Sequence, residues 1–393
     1  MMLSELGRRE EALEVAREAV EIYHELARNR PDAFQPNLAL SLTNLGKTLS
    51  ELGRREEALE AAREAVEIYR ELARNCPDAF QPNLALSLNN LGMMLSELGR
   101  REGALEAARE AVEIYRELAR NCPDAFQPAL AMSLNNCGLG LSELGRQEEA
   151  LEAAREAIEI YRELSRSRPE AFLPNLALGL TNLGKMLSDL GRGEEAFKVS
   201  REAVKIDREL VHTHPEAFLP TLAMSLTIFG KVLSELGRRK EAFKTAREAV
   251  EVYRDLARTR RDAFQPNLAM SLTNLGKMLS ELGRREEALE AAREAVEIDR
   301  DLARKRPDAF LPNLALSLNN LGKMFSDLGR LEEAFEVLQE AALSLLPFFE
   351  HYPQVFFNLM RVIFRNYHEF SKQAGRQPDP ELIAKISTIF ESL

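Results

Sequence analysis

Six asparagines share one slot of a fixed 46-residue interval: Asn44, Asn90, Asn136, Asn182 and, after Ile228 breaks the row, Asn274 and Asn320. Asn366 continues the series. An amide both donates and accepts, so a row of amides can hydrogen-bond successive peptide groups of an extended ligand without selecting its side chains. The alternative use of such a row is bonding within its own scaffold. Three residues further on, Lys47, Lys185, Lys231, Lys277 and Lys323 keep the same interval, interrupted by Met93 and Leu139. Lysines arrayed in an acidic protein attract acidic segments, although each exposed pair is weak. Met93 and Leu139 predict a more apolar patch between two basic ends. Leu40, Leu86, Met132, Leu178, Met224, Met270 and Leu316, four residues before the Asn slot, add a shallow apolar floor.

Other reactive residues lack partners. His24, His212, His214, His351 and His368 include no two at ligand spacing on one helical face, and His212-Thr213-His214 lacks further ligands, so no metal site is expected. No phosphate-cradling glycine loop is present. Serines such as Ser87 and Ser96 repeat without a histidine, so the chain is expected to carry no catalytic residues and no cofactor. Cys76 and Cys122 fill a slot that holds Arg30, Arg168, His214, Arg260 and Arg306 elsewhere, while Cys137 replaces a core leucine such as Leu91. These cysteines form no disulfide framework, which points to a reducing, cytoplasmic setting.

With 52 Lys and Arg against 63 Asp and Glu, the net charge of -11 disfavours nucleic acid as a partner, because phosphate binding rests on clustered basic residues. No apolar run approaches the eighteen residues needed to cross a bilayer, and Met1 to Arg9 lacks the apolar stretch of a signal peptide, so no membrane role is expected. A hydrophobic content of 45% with 29% charged residues argues for a folded chain.

What positions the two rows is the repeat itself. Leu-Gly-Arg occurs at Gly7, Gly53, Gly99, Gly145, Gly191, Gly237, Gly283 and Gly329, and a period of this length marks a stacked array of supersecondary units. Leu84, Leu88, Leu91, Leu95 and Leu98 trace one helical stripe, helix A, with Pro82 suiting its first turn and Gly99 the left-handed position past its end. Ala104, Leu105, Ala108, Ala111, Val112, Tyr115 and Leu118 trace helix B through about Asn121, antiparallel to helix A because the turn between them is short. Gly92 inside helix A implies close approach of another backbone, met by the small Ala104, Ala108 and Ala111. The link from Cys122 to Pro128 returns the chain to the next helix A, and its Phe126, repeated as Phe34, Phe80, Phe172, Phe218, Phe264 and Phe310, is read as a plug between units. The Glu and Arg residues of helix B, such as Glu106, Arg109, Glu113, Arg116 and Glu117, are read as a solvated outer surface.

Leu88, Leu91-Gly92, Leu95, Gly99, Ala104, Ala108 and Ala111 resemble the tetratricopeptide repeat pattern. The family unit is 34 residues, and this longer one, with its Leu-Asn-Asn-Leu run, is similar to the kinesin light chain subclass. The resemblance implies an all-α fold, a right-handed superhelical α-solenoid of antiparallel helix pairs. It also implies that helix A forms a concave groove in which the asparagines contact bound peptide. The carboxylate-clamp subclass has basic residues where this chain has Leu and Met, so capture of a free peptide C-terminus is not implied.

Two domains are expected: a tandem array over residues 1–346 with a truncated first unit, and a degenerate ninth repeat with a C-terminal capping helix over 347–393, where Pro353, Phe356, Asn366 and Gly375 keep the register. The opening Met1–Gly7 reproduces Met93–Gly99, so helix B of the first unit should lack half its partner and expose parts of Leu13, Val20 and Tyr23. Either the chain is a segment of a longer array, or this end meets another molecule, such as a second copy. The expected function is a non-catalytic scaffold that binds a protein or extended peptide, including acidic ones. The alternative is a sensor or homo-oligomerising arm of a larger signalling protein, of the kind fused to nucleotide-binding switches or caspase-like proteases.

Overall fold

The structure, a computed structural model, describes residues 2–393, with side chains described from Glu10 onward. Met1 lies outside the described residues. Their secondary structure is helical throughout, with seventeen helices. The first half holds α1 (Met2–Asn29), α2 (Pro31–Glu51), α3 (Arg55–Asn75), α4 (Pro77–Glu97), α5 (Arg101–Asn121), α6 (Pro123–Glu143), α7 (Gln147–Ser167) and α8 (Pro169–Asp189). The second holds α9 (Gly193–Thr213), α10 (Pro215–Glu235), α11 (Arg239–Thr259), α12 (Arg261–Glu281), α13 (Arg285–Lys305), α14 (Pro307–Asp327), α15 (Leu331–His351), α16 (Pro353–Ala374) and α17 (Pro380–Glu391). Even-numbered helices through α16 correspond to helix A and odd-numbered ones to helix B. Contacts divide the chain into two compact units, residues 1–192 and 193–393. Within each unit every helix packs on the next, and successive helices A also touch, as α4 does α6 and α12 does α14.

Local chemistry explains each boundary. Helix α3 is built from strong helix formers, Ala, Glu, Leu and Arg, and buries Ala58, Leu59, Ala62, Ala65, Val66, Tyr69 and Leu72 along one stripe. Helix α4 ends in a Schellman motif: Arg100 N–H donates to the Leu95 carbonyl at 2.8 Å and Gly99 N–H to the Ser96 carbonyl at 2.9 Å. Gly99 takes φ 71°, a left-handed conformation open to glycine at little cost.

The link between helices B and A is shorter than its sequence suggests. Helix α4 starts at Pro77, so Pro82 lies inside the helix, and Cys76 alone leaves the helical conformation, at φ -138° and ψ 75°. Of the two prolines in each Pro-Asp-Ala-Phe-Gln-Pro run, the first takes the N1 position, where an absent N–H costs nothing. The phenylalanine therefore rides on the first turn, half-buried, and Phe34, Phe264 and Phe310 pack against the cores of their units. Guanidinium groups from the slot occupied by Cys76 and Cys122 cover these rings, Arg168 lying 4.9 Å from the Phe172 centroid and Arg260 4.8 Å from Phe264.

The first helix also departs from expectation. Instead of a half helix, a turn and helix B, α1 runs unbroken from Met2 to Asn29. A glycine inside a helix costs roughly 1 kcal/mol relative to alanine. The unbroken helix keeps the backbone bonds that a turn at Gly7 would break. Leu13 and Val20 are buried at 3% and 8% exposure because α2 covers that face, and Val15 and Ile22 are the apolar side chains left outside, at 67% and 50%.

Glycine at the helix crossing behaves as its position demands. A Cβ on Gly92 would lie 3.3 Å from the Ala104 carbonyl oxygen and 3.8 Å from the Ala108 nitrogen; Gly138 and Gly276 meet the same atoms of their partners, and Gly46 meets the corresponding Ala58 carbonyl. Outside, the charged residues of helices B are paired across repeats. Arg70 reaches Glu110 at 2.6 Å, Arg116 reaches Glu156 at 2.7 Å, and in the second unit Arg254 reaches Glu294 and Arg300 reaches Glu340, always forty residues apart. Helix α10 is the one described helix long and apolar enough to cross a membrane, by length and composition, with a mean hydropathy of 1.4. It packs between α9 and α11 as its counterparts do between theirs.

At the C-terminal end Pro347 lies within α15, and α16 carries the register onward. Asp379 caps α17, its Oδ1 accepting from the backbone N–H groups of Glu381 and Leu382. Leu382 and Ile386 are buried, and Phe390 meets Phe349, Phe357 and Phe364 with centroids 5.1, 5.3 and 5.8 Å apart.

Candidate ligand-binding face

The face of each helix A opposite its leucine stripe carries the two rows. In the first unit Leu40, Leu86, Met132 and Leu178 are exposed at 54, 45, 37 and 39%, and in the second Met270 and Leu316 at 51 and 44%. These large apolar side chains repeat in one register, one on each helix A named. Met224 is half-buried. Asn44 is exposed, and Asn90, Asn136, Asn182, Asn274 and Asn320 are half-buried.

The amides divide into two groups. Asn182 Nδ2 donates to Asn135 Oδ1 at 3.2 Å, and Asn366 Nδ2 to Asn319 Oδ1 at 2.9 Å, so these two serve the scaffold. The partner slot, one residue before, holds Thr43, Asn89, Asn135, Thr181, Thr227, Thr273 and Asn319. It knits successive helices A within a unit: Asn89 Nδ2 donates to Ser133 Oγ at 2.7 Å, and Thr227 Oγ1 lies 3.3 Å from Ser271 Oγ.

Two cavities gather the predicted residues. One, of about 290 Å³ in the first unit, brings Met93 and Glu97 of α4 together with Asn136, Leu139 and Glu143 of α6, over a floor of Gly92, Ala104 and Ala108. Small residues make that floor, so the packing that forces glycine at the crossing also hollows the surface above it. The other, of about 280 Å³ in the second unit, lies between α12 and α14 and includes Asn267, Met270, Thr273, Asn274 and Leu316. The lysines stand apart from both. Lys47, Lys185, Lys277 and Lys323 are exposed, and Lys231 sits 3.7 Å from Glu235. The neighbouring acids are engaged as well, Glu97 by Ser50 at 3.5 Å and Arg55 at 3.7 Å. No cluster of three or more metal-ligating side chains occurs among the described residues.

One residue of the second cavity escaped the sequence reading. Asp299 occupies the slot that holds Tyr23, Tyr69, Tyr115, Tyr161 and Tyr253, and it is 2% exposed. Burial pushes its carboxyl up to about 6, opposed by the Ser317 hydroxyl, which donates to Oδ2 at 2.6 Å. Asp207, in the same slot, is also buried and shifted upward by burial, opposed by Ser225 and Thr221, and its Oδ1 has no hydrogen-bond partner. The signal was the break in the tyrosine row, readable by setting the repeats side by side. Where tyrosine is kept, the phenol fills the space and stays neutral, burial holding Tyr115 up at about 12.

Comparison with known proteins agrees with this geometry. A family model described as tetratricopeptide repeat matches residues 84–119, 130–165, 176–216, 268–300 and 314–343, and another of the same description matches 1–71. A model described as anaphase-promoting complex subunit 5 matches only residues 210–261. No curated protein matches the chain. Among solved structures, BtubC (BKLC) from P. vanneervenii is 21% identical with a TM-score of 0.51, covering 63% of this chain and 92% of its own. The signal transduction ATPase with numerous domains (STAND) protein PH0952 from Pyrococcus horikoshii, which has a tetratricopeptide repeat sensor, is 16% identical with a TM-score of 0.54, over 92% of this chain and 50% of its own. A putative kinesin light chain of Podosopora anserina with nearly identical TPR-like repeats is 19% identical with a TM-score of 0.43, over 56% of this chain and 96% of its own. These likenesses are of fold. Tetratricopeptide arrays are protein-interaction scaffolds and generally non-catalytic. Since the matched repeats span more than half of the sequence and fold as antiparallel helix pairs, the chain belongs to the tetratricopeptide repeat family, in a long-unit form.

Proposed function

We propose that this protein is a non-catalytic scaffold that binds a protein segment in extended conformation along the exposed face of its helices A. The observation that carries the reading is the in-register row of exposed Leu and Met beside asparagine amides, of which Asn44, Asn90, Asn136, Asn274 and Asn320 form no side-chain hydrogen bond among the described residues. Apolar side chains would supply affinity by burial, and amides would supply register through the ligand backbone. The exposed Lys47, Lys185, Lys277 and Lys323 favour ligands with acidic residues beside the contact segment, more so at low salt.

The test compares capture of partner proteins by the intact chain and by a triple Asn44→Ala, Asn90→Ala, Asn136→Ala variant. Asn182 is left in place because its amide is bonded to Asn135. Capture should be lost while helicity and melting temperature stay nearly unchanged. Capture that survives would make the amides structural.

A second reading, an arm of a larger signalling protein that senses or self-associates, draws on the exposed Val15 and Ile22 of α1 and on the likeness to the STAND protein, of which this chain spans half. Light scattering on the full chain separates the two readings: self-association that Val15→Glu abolishes supports the second, and a monomer at all concentrations counts against its self-association.

A further inference from the structure

The repeat allows the Asp299 site to be compared with its filled counterparts. In three of the units that keep tyrosine, the phenol oxygen bonds to one of two groups. Tyr115 Oη donates to the Pro82 carbonyl at 3.3 Å, while Tyr69 and Tyr161 accept from Asn83 and Asn175 at 3.5 and 3.4 Å. The corresponding positions around Asp299 are Pro266 and Asn313, and both line the 280 Å³ cavity. Replacing the ring with a shorter carboxylate thus vacates the space and leaves those two polar groups facing it. Asp299 is 98% buried, and its Oδ2 is held by Ser317 at 2.6 Å. Its Oδ1 takes no hydrogen bond, and no Lys or Arg pairs with Asp299 among the described residues. Met270 and Leu316 flank the opening as half-exposed apolar walls.

We propose that this cavity is a socket for the side chain of a lysine in the bound segment, its ammonium meeting Asp299 and its aliphatic stem lying between Met270 and Leu316. The proposal rests on the groove reading above and names one of its specificity positions. An ammonium presents three donors and no acceptor. The socket offers two acceptors, the free Oδ1 of Asp299 and the Pro266 carbonyl that a phenol would otherwise engage, and a third if the Asn313 amide, whose counterparts Asn83 and Asn175 present their NH2 to the phenol, turns its oxygen inward. A buried carboxylate without a counter-charge is costly, and an incoming cation removes that cost, so binding should favour a basic over a neutral side chain of the same length. An acidic side chain would be rejected by the same charge. Ser317 is a positioning residue, holding Oδ2 and leaving Oδ1 without a hydrogen bond.

Two measurements on the full chain test this. First, capped pentapeptides that differ only at the central residue, lysine, norleucine or glutamate, are titrated into the wild type and the Asp299→Asn variant. Lysine should bind about tenfold more tightly than norleucine, a difference of about 1.4 kcal/mol, and Asp299→Asn should erase that preference. Equal binding of lysine and norleucine peptides to the wild type would overturn the socket while leaving the groove standing. Second, n-butylammonium is titrated into protein carrying ¹³C-carboxyl aspartate. The Asp299 resonance should shift saturably in the wild type, and Asp299→Tyr, which restores the ring present in five other units, should abolish ammonium binding. The absence of a saturable shift overturns the socket whatever the peptides do. A saturable shift without peptide binding supports the socket and counts against the groove.

Discussion

Asp299 exchanges stability for an open acidic pocket. Its carboxyl, near 6 in the folded chain, stands above the value of 3.8 usual for an aspartate, so the ionised form is the one the fold disfavours. Below pH 4 the group is protonated in folded and unfolded chains alike and costs nothing. Between about pH 4 and 6 the folded chain holds the proton more tightly, so stability falls as pH rises, and above that the loss is constant. The shift corresponds to about 3 kcal/mol as an upper bound. Asp299→Asn should therefore flatten the fall in denaturation midpoint between pH 4 and 6.5 relative to wild type. A parallel pH profile in the two proteins would mean that the carboxyl titrates normally.

At the scale of the element, the same glycine residue type does two different jobs. Gly92 sits where a Cβ would press on the Ala104 carbonyl at 3.3 Å, so Gly92→Val should lower stability by about 2 kcal/mol through overpacking. Gly103 stands in the first turn of α5, where a Cβ meets only the Leu95 side chain at 3.4 Å. Its counterparts are glutamates, and Glu57 and Glu149 pair with Arg54 and Arg146. Gly103→Glu should accordingly raise stability by about 0.5 kcal/mol through helix propensity alone. Denaturant titration of both variants checks the two signs together. The leucine stripe, the crossing glycine and the C-terminal glycine cap were all legible in one unit's sequence, because each depends on contacts within a helix pair. The helix start was not, since either proline of the Pro-Asp-Ala-Phe-Gln-Pro run satisfies the N1 rule, and only packing of the phenylalanine against the core favours the first.

For the whole molecule, a repeat array is stabilised by neighbour contacts, and a helix that departs from the repeat can cover the apolar face of the unit before it. Helix α17 does this by laying Leu382, Ile386 and Phe390 on α15 and α16. Removing residues 380–393 should uncover Phe349, Phe357 and Phe364 and produce concentration-dependent association in size-exclusion chromatography. A truncated chain that stays monomeric with an unchanged melting temperature would show that α17 is dispensable. The Arg–Glu pairs between helices B, although regular, are exposed at both partners, and pairs of that kind contribute little individually.

The sequence by itself determined the helix pair, its period and the face on which the asparagine and leucine rows lie, because periodicity and glycine placement express forces acting within about fifty residues. It also held the tyrosine-to-aspartate change, as a bare substitution. Only the tertiary structure decided what that change does, since a cavity exists by virtue of three helices drawn together. The same holds for the amides: Asn182 and Asn274 occupy one slot in the repeat, yet Asn182 is bonded to Asn135 and Asn274 lines a cavity. In α1, too, the Leu-Gly-Arg motif that ends helices elsewhere lies inside one continuous helix, so the motif by itself does not fix a helix end.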